Sequence, residues 1–137
     1  MKKTPLYKEH VELNAKMVNF GGFNMPIQYQ GISIEHNCVR NNVGIFDVSH
    51  MGEFFVSGKD SSAFLNYICT NDIYKIEING AQYNCFTNNN GGIVDDLIIY
   101  RCNEQEYMLV VNASNIEKDW NWIKTNLGGY QLSLIHI

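Results

Sequence analysis

The chain has 137 residues, 45% of them hydrophobic, which is enough for one domain with one sizeable core and too little for two. Its 14 Asp and Glu against 10 Lys and Arg give a net charge of -4 with no basic run, which argues against nucleic-acid binding through phosphate contacts. No stretch approaches the ~18 apolar residues of a membrane span, and MKKTPLYKEHVEL begins basic but lacks an apolar h-region, so a soluble, unexported, cytoplasmic protein is expected.

In chain order, Thr4-Pro5 reads as an N-cap and first-turn proline opening a helix to about Ala15. Residues 16 to 32 are aromatic and interrupted by Gly21, Gly22 and Pro26, so an irregular segment is expected there. Ser33 is placed to cap a second helix that ends near Gly44, and a strand is expected from Met51 to Val56. Asp60 and Ser61 cap a helix with Ala63, Phe64, Tyr67 and Ile68 on its apolar stripe.

Ala81 to Thr87 and Ile93 to Arg101 flank an Asn/Gly turn and read as a hairpin, with Glu106 to Asn112 as an antiparallel neighbour. Ser114 and Glu117 have capping-box spacing before Ile116, Trp120, Ile123 and Leu127, which recur at helical intervals. On that helix Trp120 is expected in the core and Trp122 partly exposed. The order of elements gives an α+β class, an antiparallel sheet with flanking helices.

QLSLIHI at the end is strand-like, apolar and without a polar tail. As an uncovered edge it would invite aggregation, so either another segment normally covers it or the sequence is truncated; LSLIHI also resembles translated sequencing-adapter sequence, which would make residues 132 to 137 non-native. Cys38, Cys69, Cys85 and Cys102 form no CxxC pair and no cluster at zinc-ligand spacing. They are expected as reduced, mostly buried thiols, and no metal site is expected.

GGIVDDLIIY poses the sharpest question, because it sets Asp95 and Asp96 in a run that otherwise reads as a buried strand. Side chains alternate along a strand, so one aspartate shares a face with Leu97 and Ile99, the other with Ile98 and Tyr100. One of them must point at the core or at a cavity in it, unless the pair only satisfies loop amides at a hairpin rim. Tyr83 and Tyr100 beside Asp96 would offer flat rings, hydroxyls and a carboxylate to a planar heterocycle; the alternative is ordinary cross-strand packing. In FDVSHMGEF, Asp47, Ser49 and His50 have the residue types of a catalytic triad. Neighbours on an extended segment mostly point apart, so turn-stabilising roles are the alternative, as is a core role for Met51.

TPLYKEHVELNAKMVNFGGFNMPIQY, VRNNVGIFDVSHMGEF, the TND at 70 to 72, NNNGGIVDDLIIY and LVVNASNIEKDWNWI resemble, in order and spacing, the N-terminal part of the aminomethyltransferase family, the T-protein of the glycine cleavage system. The resemblance runs to about Tyr130. It implies the first part of a folate-binding fold and an enzyme that moves a one-carbon unit from aminomethyl-lipoyl H-protein to tetrahydrofolate, releasing ammonia. It further implies that Asp96 is the catalytic acid, and that Met51, Tyr83, Asp96, Tyr100 and Asn112 contact the folate, with Asp95 structural. The lipoyl group comes from H-protein. Family members are more than twice this long, so a 137-residue chain would carry part of the pocket. The alternatives are a non-catalytic folate-binding fragment and the folate domain of a dimethylglycine or sarcosine dehydrogenase relative.

Overall fold

The computed structural model describes residues 1–137 and divides them into two units, Met1–His50 and Met51–Ile137. The first unit contains β1 (Lys2–Lys3), α1 (Tyr7–Glu12), β2 (Lys16–Phe20), β3 (Phe23–Gln28) and α2 (Ile32–Asn41), with strand order β1-β3-β2. Gly21 and Gly22 take φ of 58° and 85°, the two positive values required by a two-residue hairpin turn that follows strand twist. The segment expected to be irregular is therefore a β2–β3 hairpin. Its glycines are turn residues, and Pro26 is tolerated because it lies past the β1 pairing, which ends at Asn24, and beside a bulge at Lys16 and Met17.

Helix α1 is shorter than Thr4-Pro5 suggests. The Thr4 hydroxyl does not cap it but donates to Asp47 Oδ2 at 3.2 Å, and Leu6 occupies the cap position. Asn14, at φ 58°, turns the chain out of the helix. Helix α2 starts one residue before the expected Ser33 cap. Its opening is satisfied by Glu35 Oε1, which accepts from the backbone N–H of Tyr29, Gln30 and Gly31 at 2.7, 2.8 and 3.0 Å.

The second unit contains β4 (Gly52–Ser57), α3 (Ser61–Ile68), β5 (Ala81–Thr87), β6 (Ile93–Asn103), β7 (Glu106–Val111), α4 (Ile116–Asn126) and β8 (Ser133–His136). Its sheet has the order β5-β6-β7-β4-β8 and every pairing is antiparallel. Period-two alternation decides the faces. Phe54, Val56, Phe86, Leu97, Ile99, Tyr107, Leu109 and Val111 point into a core completed by Phe64 and Leu65 of α3 and Ile123 of α4. Fully burying each such side chain contributes roughly 1.5–3 kcal/mol before entropy is charged against it. Helix α4 comes close to the sheet over Gly52, where a Cβ would stand 2.7 Å from Ile116 Cγ1.

Two expectations need correction here. Trp120, expected in the core, is half-buried and packs against it, while Trp122 is partly exposed as expected and packs there too. The cysteines are not mostly buried: Cys38 and Cys102 are exposed and Cys69 and Cys85 intermediate, all as free thiols. The terminal run forms β8, which pairs with β4 from Ser133 to His136, lays the His136 ring 5.0 Å from that of Phe54 and stands at one edge of the sheet.

Candidate functional site on the open sheet face

β6 separates its two acids as alternation requires. Asp95 is buried with Leu97 and Ile99, while Asp96, Ile98 and Tyr100 lie on the opposite, open face. Asp96 is held from two directions. The Tyr83 hydroxyl, a diagonal neighbour because Tyr83 pairs with Ile98, donates to Oδ2 at 3.1 Å. Asn112 Nδ2 donates to Oδ1 at 3.0 Å and also lies 3.1 Å from the Asp96 carbonyl. The bond to Asp96 and the charge on that carboxylate raise the Tyr83 pKa, so the phenol stays protonated as a donor.

The sheet register explains why these groups meet. Asn84, Leu97, Val111 and Gly52 form one cross-strand row, so Asp96, Asn112 and Met51 occupy the next row at the end of the sheet. Met51 is half-buried there. Tyr100 shares the open face but lies four residues, roughly 13 Å, along the strand from Asp96. The structure thus joins Asp96, Tyr83 and Asn112 by hydrogen bonds, sets Met51 in their row, and leaves Tyr100 apart.

The loop beside Tyr83 is also fixed. Buried Asn84 accepts through Oδ1 from the backbone N–H of Thr70 and Asn71, both at 3.0 Å, and Asn71 Nδ2 donates to the Tyr83 carbonyl at 2.8 Å. No group of three or more His, Cys, Asp and Glu side chains is placed to hold a metal ion.

The residues of FDVSH make different contacts from those of a Ser/His/Asp triad. Ser49 donates to Asp47 Oδ1 through both its backbone N–H, at 2.9 Å, and its hydroxyl. Asp47 Oδ2 meets His10 Nε2 at 2.7 Å rather than His50, and the Tyr29 hydroxyl meets His10 Nδ1 at 2.8 Å. A carboxylate can only accept, so the hydrogen sits on Nε2. Burial pushes the Asp47 carboxyl up, but the bonds from Ser49, His10 and Thr4 outweigh it and hold the pKa at about 2. Burial, Asp47 and Glu35 raise the Tyr29 pKa, so this hydroxyl is no ready nucleophile.

Sequence reasoning missed Asn115 and Asp119. Asn115 Nδ2 donates to Asp95 Oδ1 at 2.9 Å, and Asp119 is wholly buried. A signal for Asp119 existed: it falls three residues after Ile116 and four before Ile123, on the buried stripe of α4.

Residues 6–136 match the family model described as GCVT N-terminal domain. The chain is 57% identical over 126 residues to an aminomethyltransferase of Flavobacterium psychrophilum, covering 92% of this chain and 35% of that protein. It is 51% identical over 137 residues to one of Staphylococcus carnosus, covering 100% and 38%. The glycine cleavage system aminomethyltransferase T from Bartonella henselae superposes with a TM-score of 0.93 at 35% identity, over 99% of this chain and 38% of that one. The chain spans little more than a third of the length of these relatives. With this match extending from α1 into β8, the chain belongs to the GCVT N-terminal domain family.

Proposed function

We propose that this chain supplies one wall of the active site of a tetrahydrofolate-dependent aminomethyltransferase of the glycine cleavage system, working in the cytoplasm. The carrying observation is the Asp96 carboxylate, displayed on an open sheet face and fixed by Tyr83 and Asn112, in a chain whose relatives are named aminomethyltransferases. The substrates are tetrahydrofolate and the aminomethyl-lipoyl group of H-protein. N5 and N10 of the folate each form a bond to the methylene carbon, whose bonds to nitrogen and sulfur break. The two hydrogens lost from N5 and N10 leave on ammonia and on the lipoyl thiol.

Asp96 serves this chemistry as a fixed negative charge beside the folate nitrogens, stabilising the positive character that grows on the methylene carbon as ammonia departs. Tyr83 and Asn112 keep the carboxylate from rotating away. Tyr83 and Tyr100 offer ring faces and Met51 a soft apolar contact to the folate. No helix is long and apolar enough to cross a membrane.

The test is a chimera in which this chain replaces the matching part of the Staphylococcus carnosus protein. Asp96→Asn keeps shape and removes charge, so turnover is expected to fall on the order of 10²-fold with the melting temperature unchanged. Near-normal formation of 5,10-methylenetetrahydrofolate by that variant would overturn the assignment.

A further inference from the structure

We propose that Asp119 and Asp95 form a buried carboxyl pair sharing one proton, and that this pair, acting through the Asn112 amide, positions Asp96 on the other face of the sheet. The inference deepens the reading of Asp96 given above and rests on it for its functional meaning.

Asp119 has no exposed surface, and no donor reaches either of its carboxylate oxygens. Asp119 follows Asn115 by one turn of α4, and Asn115 donates to Asp95, itself 7% exposed, so the two carboxyls face one buried site, where two ionised carboxylates have no hydrogen to place between them. A proton on one of them supplies the missing donor and removes one of two like charges from a dry site. Asn115 Nδ2 donates to Asp95 Oδ1 at 2.9 Å.

Asn112 links this pair to the open face. Its Nδ2 lies 3.3 Å from each Asp95 oxygen, 3.0 Å from Asp96 Oδ1 and 3.1 Å from the Asp96 carbonyl. An amide nitrogen carries two hydrogens, so four acceptors compete for them. With the proton in place, Asp119 satisfies part of Asp95 and an Asn112 hydrogen is released to Asp96. Without it, a doubly charged pair draws both hydrogens toward the core side and Asp96 keeps only one of its two restraints, the Tyr83 hydroxyl.

The charged groups around Asp119 are few. β6 brings Asp95 and Asp96. Helix α4 itself brings Lys118, which pulls the opposite way, although its Nζ is held by the Val94 carbonyl at 2.6 Å. β4 meets the same helix through uncharged Gly52 and Phe54, against Ile116 and Trp120, and the His136 ring of β8 rests on Trp120. Burial first, then the hydrogen bond and charge of Asp95, push the Asp119 carboxyl from 3.8 up to about 8.

Carbon-13 NMR of aspartate carboxyls in the 137-residue chain, read with the Asn112 side-chain amide signals, tests this without any folate. Wild type is expected to show one carboxyl of the pair holding its proton to about pH 8, with the Asn112 amide and the Asp96 carboxyl shifting at the same midpoint. In Asp119→Asn the new amide donates to Asp95, so the alkaline step at Asn112 and Asp96 disappears. Two carboxyls titrating in the ordinary range near 4 overturn the shared proton. A step near 8 that leaves Asn112 and Asp96 unmoved overturns the positioning role, and the wild-type titration decides even if the variant misfolds. If Asp96→Asn retains turnover in the chimera, the functional reading falls while this titration stands or fails on its own.

Discussion

In the second unit a continuous layer of apolar side chains lies beneath the sheet, whereas in the first Met25 is the one buried hydrophobic residue and the other buried groups are Thr4, His10 and His50. Val43, Ile45, Phe46 and Val48 of the first unit are exposed. Its internal order rests instead on a polar hub: Asp47 gathers Thr4, His10 and Ser49, and His10 in turn holds Tyr29. Apolar burial is non-directional and spreads over many contacts, so it tolerates a single loss as a cavity. A charge-assisted hub concentrates order in a few atoms and leaves uncompensated groups when one is removed.

That contrast can be broken at either end. Phe54→Ala opens a cavity in the fully buried core of the second unit and is expected to cost about 4 kcal/mol, read as a shift of the denaturation midpoint. Hydrogen exchange should then quicken across β4, β7 and α4 together, and a change confined to β4 would contradict a continuous core. Asp47→Ala strips the hub of its acceptor and is expected to cost about 3 kcal/mol. Here exchange should quicken in α1 and β3 while the second unit keeps its protection; a silent result would mean the hub is ornamental.

A smaller effect sharpens the contrast, because pH should act on the two units with opposite sign. The Asp47 carboxyl lies below its ordinary 3.8, at about 2, so its contribution is present above pH 4 and is lost as pH falls through 2, worth about 2 kcal/mol. The Asp119 carboxyl lies above 3.8, at about 8. Its contribution is therefore full below pH 4 and declines as pH rises toward 8. Site-resolved exchange at pH 3 and pH 8 should find the first unit weaker in acid and the second weaker in base, and parallel behaviour would refute the assignment of these two groups.

The sequence was most legible where one period ruled without interruption. Alternation along β6 put Asp95 and Asp96 on opposite faces before any coordinates, and the Asn/Gly turn announced the β5–β6 hairpin. Helical spacing located α4, but the habit of treating a charged residue as solvated hid Asp119 in its buried stripe. The β2–β3 hairpin was lost because Gly21, Gly22 and Pro26 were read as breakers, although a pair of glycines is also what a tight hairpin turn requires. Thr4 was misread because a hydroxyl that suits a local cap was claimed by Asp47, 43 positions away, which no local rule contains. Likewise the Tyr83 to Asp96 bond follows from register, which the strands set together and neither one specifies alone.

Gly52 carries a consequence of another kind. A single hydrogen where other residues have a methyl group lets Ile116 settle within 2.7 Å of the missing Cβ, and this fixes how far α4 sinks toward the sheet. The same depth decides how dry the Asp119 carboxyl is, three residues further along the helix. The acidity of a proton in this molecule is therefore written partly in a glycine that never touches it: a larger residue at 52 would prop the helix like a wedge, let water in, and turn an acid that holds its proton into an ordinary one.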